Sequence, residues 1–415
     1  MKFIADFHLH SQYSRATSPR MDLENLDKWA KIKGIKILGT SDFTHPEWFK
    51  KLKEKLEPAE PGLFKLKNSN SEIRFILTAE ISCVYSKAGK VRKIHIVVFA
   101  PSFEVVEKIN THLSWIGNLR ADGRPILGLD SKELAKIVLS ASEDCLIVPA
   151  HAMTPWFGIF GSKSGFDSIE ECFEDYSKYI FALETGLSAD PQMIWRIPDG
   201  RKVVLVSNSD AHSPAHIGRE ANVFDTDLSY PAILKAIKLK NPQKFLNTIE
   251  FYPEEGKYHY DGHRDCDLCL SPQETKKYNG ICPNCGRPLT IGVLNRVEQL
   301  ADKEEGFKPE NNIPFKSLVP LVEILGDALG VMVGTKRVGE EYNNLIEKFG
   351  NEFHVLLEVS RSELETATSP EIAEGIIRAR EGKVNIEPGY DGVYGKIRIF
   401  SKGEQKIISR QKTLF

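Results

Sequence analysis

The sequence predicts an α/β protein in which repeated strand and helix units fill the first half, followed by a small cysteine module and a mainly helical α+β region. Three observations carry this. Seven short apolar runs recur at strand length, helix-spaced segments fall between several of them, and near residue 250 an irregular stretch leads into four clustered cysteines.

The runs lie at 3–7, 35–39, 75–79, 94–100, 146–150, 181–183 and 203–206. Each is apolar enough to be buried on both faces, as parallel strands are, so the expected arrangement is a parallel barrel or an open α/β sheet. Between the first two, Leu23, Leu26, Trp29, Ala30 and Lys33 follow helical spacing, and Asp22 can cap the helix. Residues 251–263 are irregular. Beyond them, helical patterns occupy 293–301, 318–329, 341–349 and the neighbourhood of 371–380. An apolar run at 355–359 and a glycine-rich stretch at 388–395 complete the chain before 397–400. The composition divides it into 1–250, 251–290 and 291–415, the last a mixed helical unit.

At 415 residues the chain exceeds one ordinary hydrophobic core. Hydrophobic residues at 41% and charged residues at 27% suit packed globular units and speak against wholesale disorder. No run approaches the ~20 apolar residues of a membrane span, and the expected location is cytoplasmic. A formal charge of −2 excludes a uniformly basic coat, so any contact with nucleic acid must be made by local patches and by site metals.

Histidines and carboxylates gather where the strands end. The first strand runs into His8 and His10, the second into Asp42, the third into Glu80, the fifth into His151, the sixth into Glu184 and the seventh into Asp210 and His212. His95 opens strand four and fits this rule least. In a parallel barrel the carboxyl ends of the strands share one mouth, so residues distant in sequence can form one site. Imidazole with carboxylate suits zinc, manganese or iron, whereas calcium prefers oxygen alone. Two such ions roughly 3.5–4 Å apart can activate water and stabilise the leaving oxygen of a phosphate ester. A single histidine at a strand end is usually a surface residue; the agreement of six or more positions argues for a site.

Cys266-x2-Cys269 and Cys282-x2-Cys285 have the spacing of a closed, tetrahedral structural zinc site, with an iron centre of similar spacing as the alternative. The other cysteines, Cys83, Cys145 and Cys172, read as buried apolar residues.

The motifs Asp6-Phe7-His8-Leu9-His10, Asp42, Glu80, His95, Pro149-Ala150-His151 and Ser209-Asp210-Ala211-His212 resemble the PHP (polymerase and histidinol phosphatase) superfamily over roughly residues 1–230. That resemblance implies a distorted seven-stranded β/α barrel holding two to three divalent metals (Zn, Mn, Mg or Fe). Within it, the segments 149–156, 186–190, 207–214 and 216–220, followed by the cysteine module, are similar to the endonuclease Q family of DNA-repair nucleases. This implies a hydrolase that cuts the phosphodiester 5′ to deaminated bases (hypoxanthine, uracil, xanthine) or abasic sites. Its partners would be damaged DNA and replication or repair proteins.

The resemblance further implies that His8, His10, Glu80 and Asp210 hold one metal. Glu80 would bridge to a second ion at His95 and His151, and Asp42 and His212 would belong to a third. Glu80, Asp210 and His212 would be catalytic. The family's Asp-His pair reads Asp42-Phe43 here, and Ser14 and Arg15 stand where a further histidine is expected. A small-molecule phosphomonoesterase and a non-catalytic DNA-binding scaffold are the alternative functions.

The loop after His151 mixes Trp156, Phe157 and Phe160 with glycines, as an enzyme that holds an unstacked base requires, although core packing of these rings is as common an explanation. With Arg219 these aromatics form the expected substrate-binding set.

Overall fold

The computed structural model describes residues 1–401 and 404. All seven apolar runs are strands. β1 (Lys2–Asp6) pairs parallel with β2 (Ile37–Gly39), which pairs parallel with β3 (Arg74–Lys87). α1 (Leu23–Lys33) makes the first crossover, with Asp22 accepting from the Asn25 amide at its start and Gly34 in the left-handed conformation at its end.

The fourth run departs from expectation. β4 (Lys90–Ala100) is antiparallel to β3, joined to it by a tight turn with positive φ at Ala88 and Gly89, and β5 (Leu146–Pro149) is antiparallel to β4 in turn. The arrangement is therefore not wholly parallel. His95 lies inside this reversed strand, paired with Ser82, which explains why it did not fit a rule written for strand ends.

β6 (Ala182–Glu184) and β7 (Val204–Val206) pair parallel with each other. The sheet extends past these strands: β8 (Ala221–Asp225) runs antiparallel to β1, and β9 (Phe245–Glu250) antiparallel to β8. One buried cluster draws Phe3, Ile37, Ile76, Val97, Val148, Ala182 and Val204 from all seven strands β1 to β7, so these strands surround a common interior. α2 (Tyr230–Lys238) packs its Tyr230, Ile233 and Ile237 into the same cluster. Side chains alternate along a strand, so Glu80 shares the inward face with Ile76, and His95 with Val97.

The cysteine module is built on a hairpin, β10 (Asp261–His263) against β11 (Leu268–Leu270). After it come α3 (Val293–Leu300) and β12 (Phe315–Ser317), which adds to the main sheet parallel to β9 and so ties the later chain to the barrel. The helical region follows as α4 (Leu321–Leu329), α5 (Lys336–Phe349), α6 (Glu352–Leu357), α7 (Arg361–Ala367) and α8 (Pro370–Arg380). The apolar run at 355–359 belongs mostly to α6. A buried ion pair joins this region to α1: Lys33 donates to Glu352 at 2.6 Å, and Tyr342 and the Leu321 amide satisfy the same carboxylate. Breaking such a pair leaves one charge buried without its partner, which is costly.

The glycine-rich stretch is the turn between β13 (Asn385–Glu387) and β14 (Lys396–Arg398). The amides of Gly389, Gly392 and Gly395 donate to the carbonyls of Glu254, Lys257 and Glu255 at 2.8, 2.8 and 3.1 Å, so they are engaged within the chain and do not face a phosphate. Among the described residues no helix is long and apolar enough to cross a membrane.

Candidate metal centre

Beyond β1 the chain stays extended, held by a bridge between Leu9 and Ala211, and this turns His8 and His10 to one side. Each imidazole is fixed from behind by a carboxylate. Nδ1 of His8 lies 3.0 Å from both oxygens of Glu184 and donates to them, which leaves the Nε2 lone pair facing the site, 3.5 Å from Oε2 of Glu80. Nδ1 of His10 lies 3.4 Å from Oδ1 of Asp42, and its Nε2 lies 3.0 Å from Oδ1 of Asp210 and 3.3 Å from Oε2 of Glu80. A carboxylate behind a histidine sets its tautomer and orientation, the usual support of a metal-binding imidazole.

On the other side of Glu80, Oε1 lies 2.7 Å from Nδ1 of His95 and 3.1 Å from Nε2 of His151. Two donor groups result, His8 with His10 and Asp210, and Glu80 with His95 and His151, each with its ligand atoms within 4.8 Å of one another. Glu80 stands between them with one oxygen toward each. Nε2 of His8, Nε2 of His10 and Oδ1 of Asp210 are buried without hydrogen-bond partners. Convergent orphaned acceptors of this kind call for a cation.

The backbone is bent to achieve this. Ser41, Asp42, His151 and Asp210 all have positive φ, between 32° and 55°, at the ends of β2, β5 and β7. Non-glycine residues adopt such conformations at a cost of about 1–3 kcal/mol each, and keep them where the surroundings enforce them. Gly186 presses on His151 so closely that a Cβ there would come within 2.5 Å of the histidine's own Cβ.

Burial raises the Glu80 carboxyl, but the neighbouring His95 imidazole, the Arg124 guanidinium and the His8 imidazole more than offset this and hold it well below the carboxylate range. Asp210 behaves alike: burial opposes ionisation, and the adjacent imidazoles of His10 and His8 overcome it and lower its carboxyl. Burial pushes His95 down to about 4. The site thus presents ionised carboxylates and, at His95, a neutral imidazole, the states that ligate metals.

Asp42 and His212, expected at a third ion, belong to neither barrel group. Oδ2 of Asp42 is occupied by the Ser11 amide and by the hydroxyls of Ser11 and Ser14 at 2.7, 2.6 and 2.8 Å, and its Oδ1 faces His10. It anchors His10. His212 packs on His10 with ring centroids 4.4 Å apart, donates from Nδ1 to the Asp210 carbonyl at 2.8 Å, and keeps 32% of its side chain exposed.

Sequence reasoning missed two neighbours. Glu184 was noted at a strand end without a role, and it holds His8, the His151 amide and Asn208 together. Arg124 carries no motif signal, yet its Nη1 lies 3.0 Å from Oε2 of Glu80.

The aromatic loop divides. Trp156 is 49% exposed and lines a cleft of about 520 Å³ with Lys163, Leu187, Tyr258 and Tyr394. Phe157 lies against His95 with ring centroids 4.2 Å apart. Phe160 is fully buried in the core, so it offers no surface to a base, contrary to expectation. Arg219 donates to the Ser209 carbonyl at 3.0 Å and lines a separate cleft with Lys33 and Glu323, between the barrel and the helical region.

In the cysteine module, Cys266, Cys282 and Cys285 come together with His263, their ligand atoms within 4.8 Å of one another; Cys269 is outside this group.

Residues 320–383 match the family described as the MJ0043 C-terminal domain. The uncharacterized protein MJ0043 of Methanocaldococcus jannaschii is 38% identical over 258 residues, which cover 60% of this chain and 31% of that protein, so the match spans about a third of its length. The crystal structure of the lesion-specific endonuclease PfuEndoQ from Pyrococcus furiosus superposes with a TM-score of 0.86 at 32% identity, covering 97% of this chain and 98% of that one. A complex of endonuclease Q with a 27-mer duplex carrying an abasic lesion at the active site matches with a TM-score of 0.84, again at 32% identity and with coverage of 97% and 98%.

Proposed function

The chain belongs to the endonuclease Q family, and from that premise we propose that it is a metal-dependent DNA endonuclease that cuts 5′ to a deaminated base or an abasic site. The observation that carries this is Glu80, with one oxygen directed to each of two histidine-containing donor groups. His8, His10 and Asp210 would hold one ion and His95 and His151 another, with Glu80 between the two groups. The mixed imidazole and carboxylate donors favour zinc, manganese or iron. Ions bound there supply a water of lowered pKa and positive charge for the departing oxygen.

The chain's own residues do the rest. Glu184 and Asp42 orient His8 and His10. Arg124, beside Glu80 and partly exposed, presents its remaining N–H groups to a non-bridging phosphate oxygen. His212, a partly exposed imidazole at the rim, exchanges a proton with the attacking water or the 3′ oxygen. Trp156 stacks on the extruded base, and the cleft beneath it receives that base. In this reading residues 1–250 cut, 251–290 form a zinc module, and the region from 291 grips duplex DNA; the last residues of that third unit lie outside the described ones.

The test is strand cleavage on matched duplexes carrying hypoxanthine, uracil, an abasic site or only normal bases, beside a chromogenic phosphomonoester. Cutting 5′ to the lesion with normal duplex spared is expected. Rapid phosphomonoester turnover without DNA cutting would reassign the protein as a small-molecule phosphatase.

A further inference from the structure

The cysteine spacing nominates four thiolates for the small module, but the hairpin that carries two of them cannot present both to the same ion. We propose that the module's zinc is held by His263, Cys266, Cys282 and Cys285, and that Cys269 is a free thiol on the opposite face of the hairpin. This rests on reading the module as a zinc site and changes its ligand set.

Strand parity carries the argument. Directly paired residues in an antiparallel hairpin share a face, and neighbours along a strand face opposite ways. His263 pairs with Leu268, and Cys269 pairs with Gly262. Leu268 and Leu270 join Cys266, Cys282 and Leu289 in the module's small core, so His263 is on that face. Gly262 and Cys269 are on the other, where a Cβ on Gly262 would meet the Tyr390 ring at 2.4 Å. Bringing Cys269 to the core face would require slipping the hairpin by one residue, which would turn Leu268 and Leu270 outward.

Local geometry agrees. His263-x2-Cys266 is a tight turn with Asp267 left-handed after it, and Cys282-x2-Cys285 is a second turn closed by the Gly286 amide donating to the Cys282 carbonyl at 2.9 Å. Two turns of equal spacing each present two donors. Nδ1 of His263 lies 3.5 Å from Sγ of Cys285. Zn–S near 2.3 Å and Zn–N near 2.0–2.1 Å at a tetrahedral angle give an N-to-S edge of about 3.5 Å. With three thiolates the occupied site is one unit less negative than with four, which matters beside Lys276 and Lys277 if the module meets a phosphate backbone.

The experiment uses the full-length protein loaded with cobalt(II). The thiolate-to-cobalt charge-transfer band arises only from this module, because the barrel donors are imidazole and carboxylate. The Cys269→Ser variant should keep the wild-type band and wild-type affinity in competition with a chelator. His263→Ala should weaken binding beyond the roughly 10–100-fold typical of an outer-layer partner, and His263→Cys should restore it with a stronger band. Loss of the band in Cys269→Ser, or unchanged affinity in His263→Ala, overturns the ligand set while leaving a metal in the module. Absence of the band from the wild-type protein overturns the zinc module and the ligand set together.

Discussion

Arg124 donates from Nη1 to Oε2 of Glu80 at 3.0 Å, on the carboxylate oxygen that also faces His8 and His10. A guanidinium is thereby fixed at the edge of the site, with 24% of its side chain still exposed. Arg124→Lys keeps the charge and loses the planar fork. Its turnover on lesion-bearing duplex should fall on the order of 10²-fold, as when one donor to a developing negative charge is removed. Metal content, measured by elemental analysis, should be unchanged.

Glu80→Gln retains size and removes the charge shared by both donor groups. Metal content should fall and cleavage should drop by on the order of 10³-fold or more, with the circular dichroism spectrum and duplex binding retained. Wild-type cleavage by a folded, metal-depleted Glu80→Gln protein would refute the bridging role.

Trp156 and Phe160 separate recognition from packing. Trp156→Ala removes an exposed ring and should weaken binding of hypoxanthine-containing duplex by about 1–3 kcal/mol, as loss of one base-stacking partner does. Stability should hold. Phe160→Ala empties a fully buried position and should lower the unfolding free energy by about 3–5 kcal/mol in a denaturant titration.

Glu255 gives the protein a pH dependence. Burial, with the charges of Glu323 and Glu254, pushes its carboxyl up to about 8. The folded state therefore binds a proton that the unfolded chain has released above about 4.5, so this stability is complete below that pH and is lost as pH rises through about 8. Glu255→Gln should flatten the fall of the melting temperature between about pH 4.5 and 8. An identical fall in the variant would assign it to other groups.

The strands were legible because each is a continuous apolar run, and the strand ends named most of the barrel donors. Direction was not legible, since apolar pattern is the same for a strand read either way, and the reversal of β4 follows from the turn at Ala88 and Gly89. His95 was the clue. Arg124 lies in a loop with no periodicity to place it. His263 carries no cysteine signal, although His263-x2-Cys266 has the same spacing as Cys282-x2-Cys285. Burial of Phe160 beside exposed Trp156 depends on loop contacts that sequence spacing does not encode.

The reversed strand also orders events during folding. β3 and β4 are joined by a tight turn, so Glu80 and His95 are brought into register by contacts local in sequence, of the kind hairpins form in roughly 1–10 μs. His8 and Asp210 meet only when β1 and the chain beyond β7 come together across some two hundred residues, a closure whose entropy must be overcome before any contact rewards it. Glu80 and His95 are thus placed early, as half of the proposed site, and His8 and Asp210 join them with the last long-range closure of the ring.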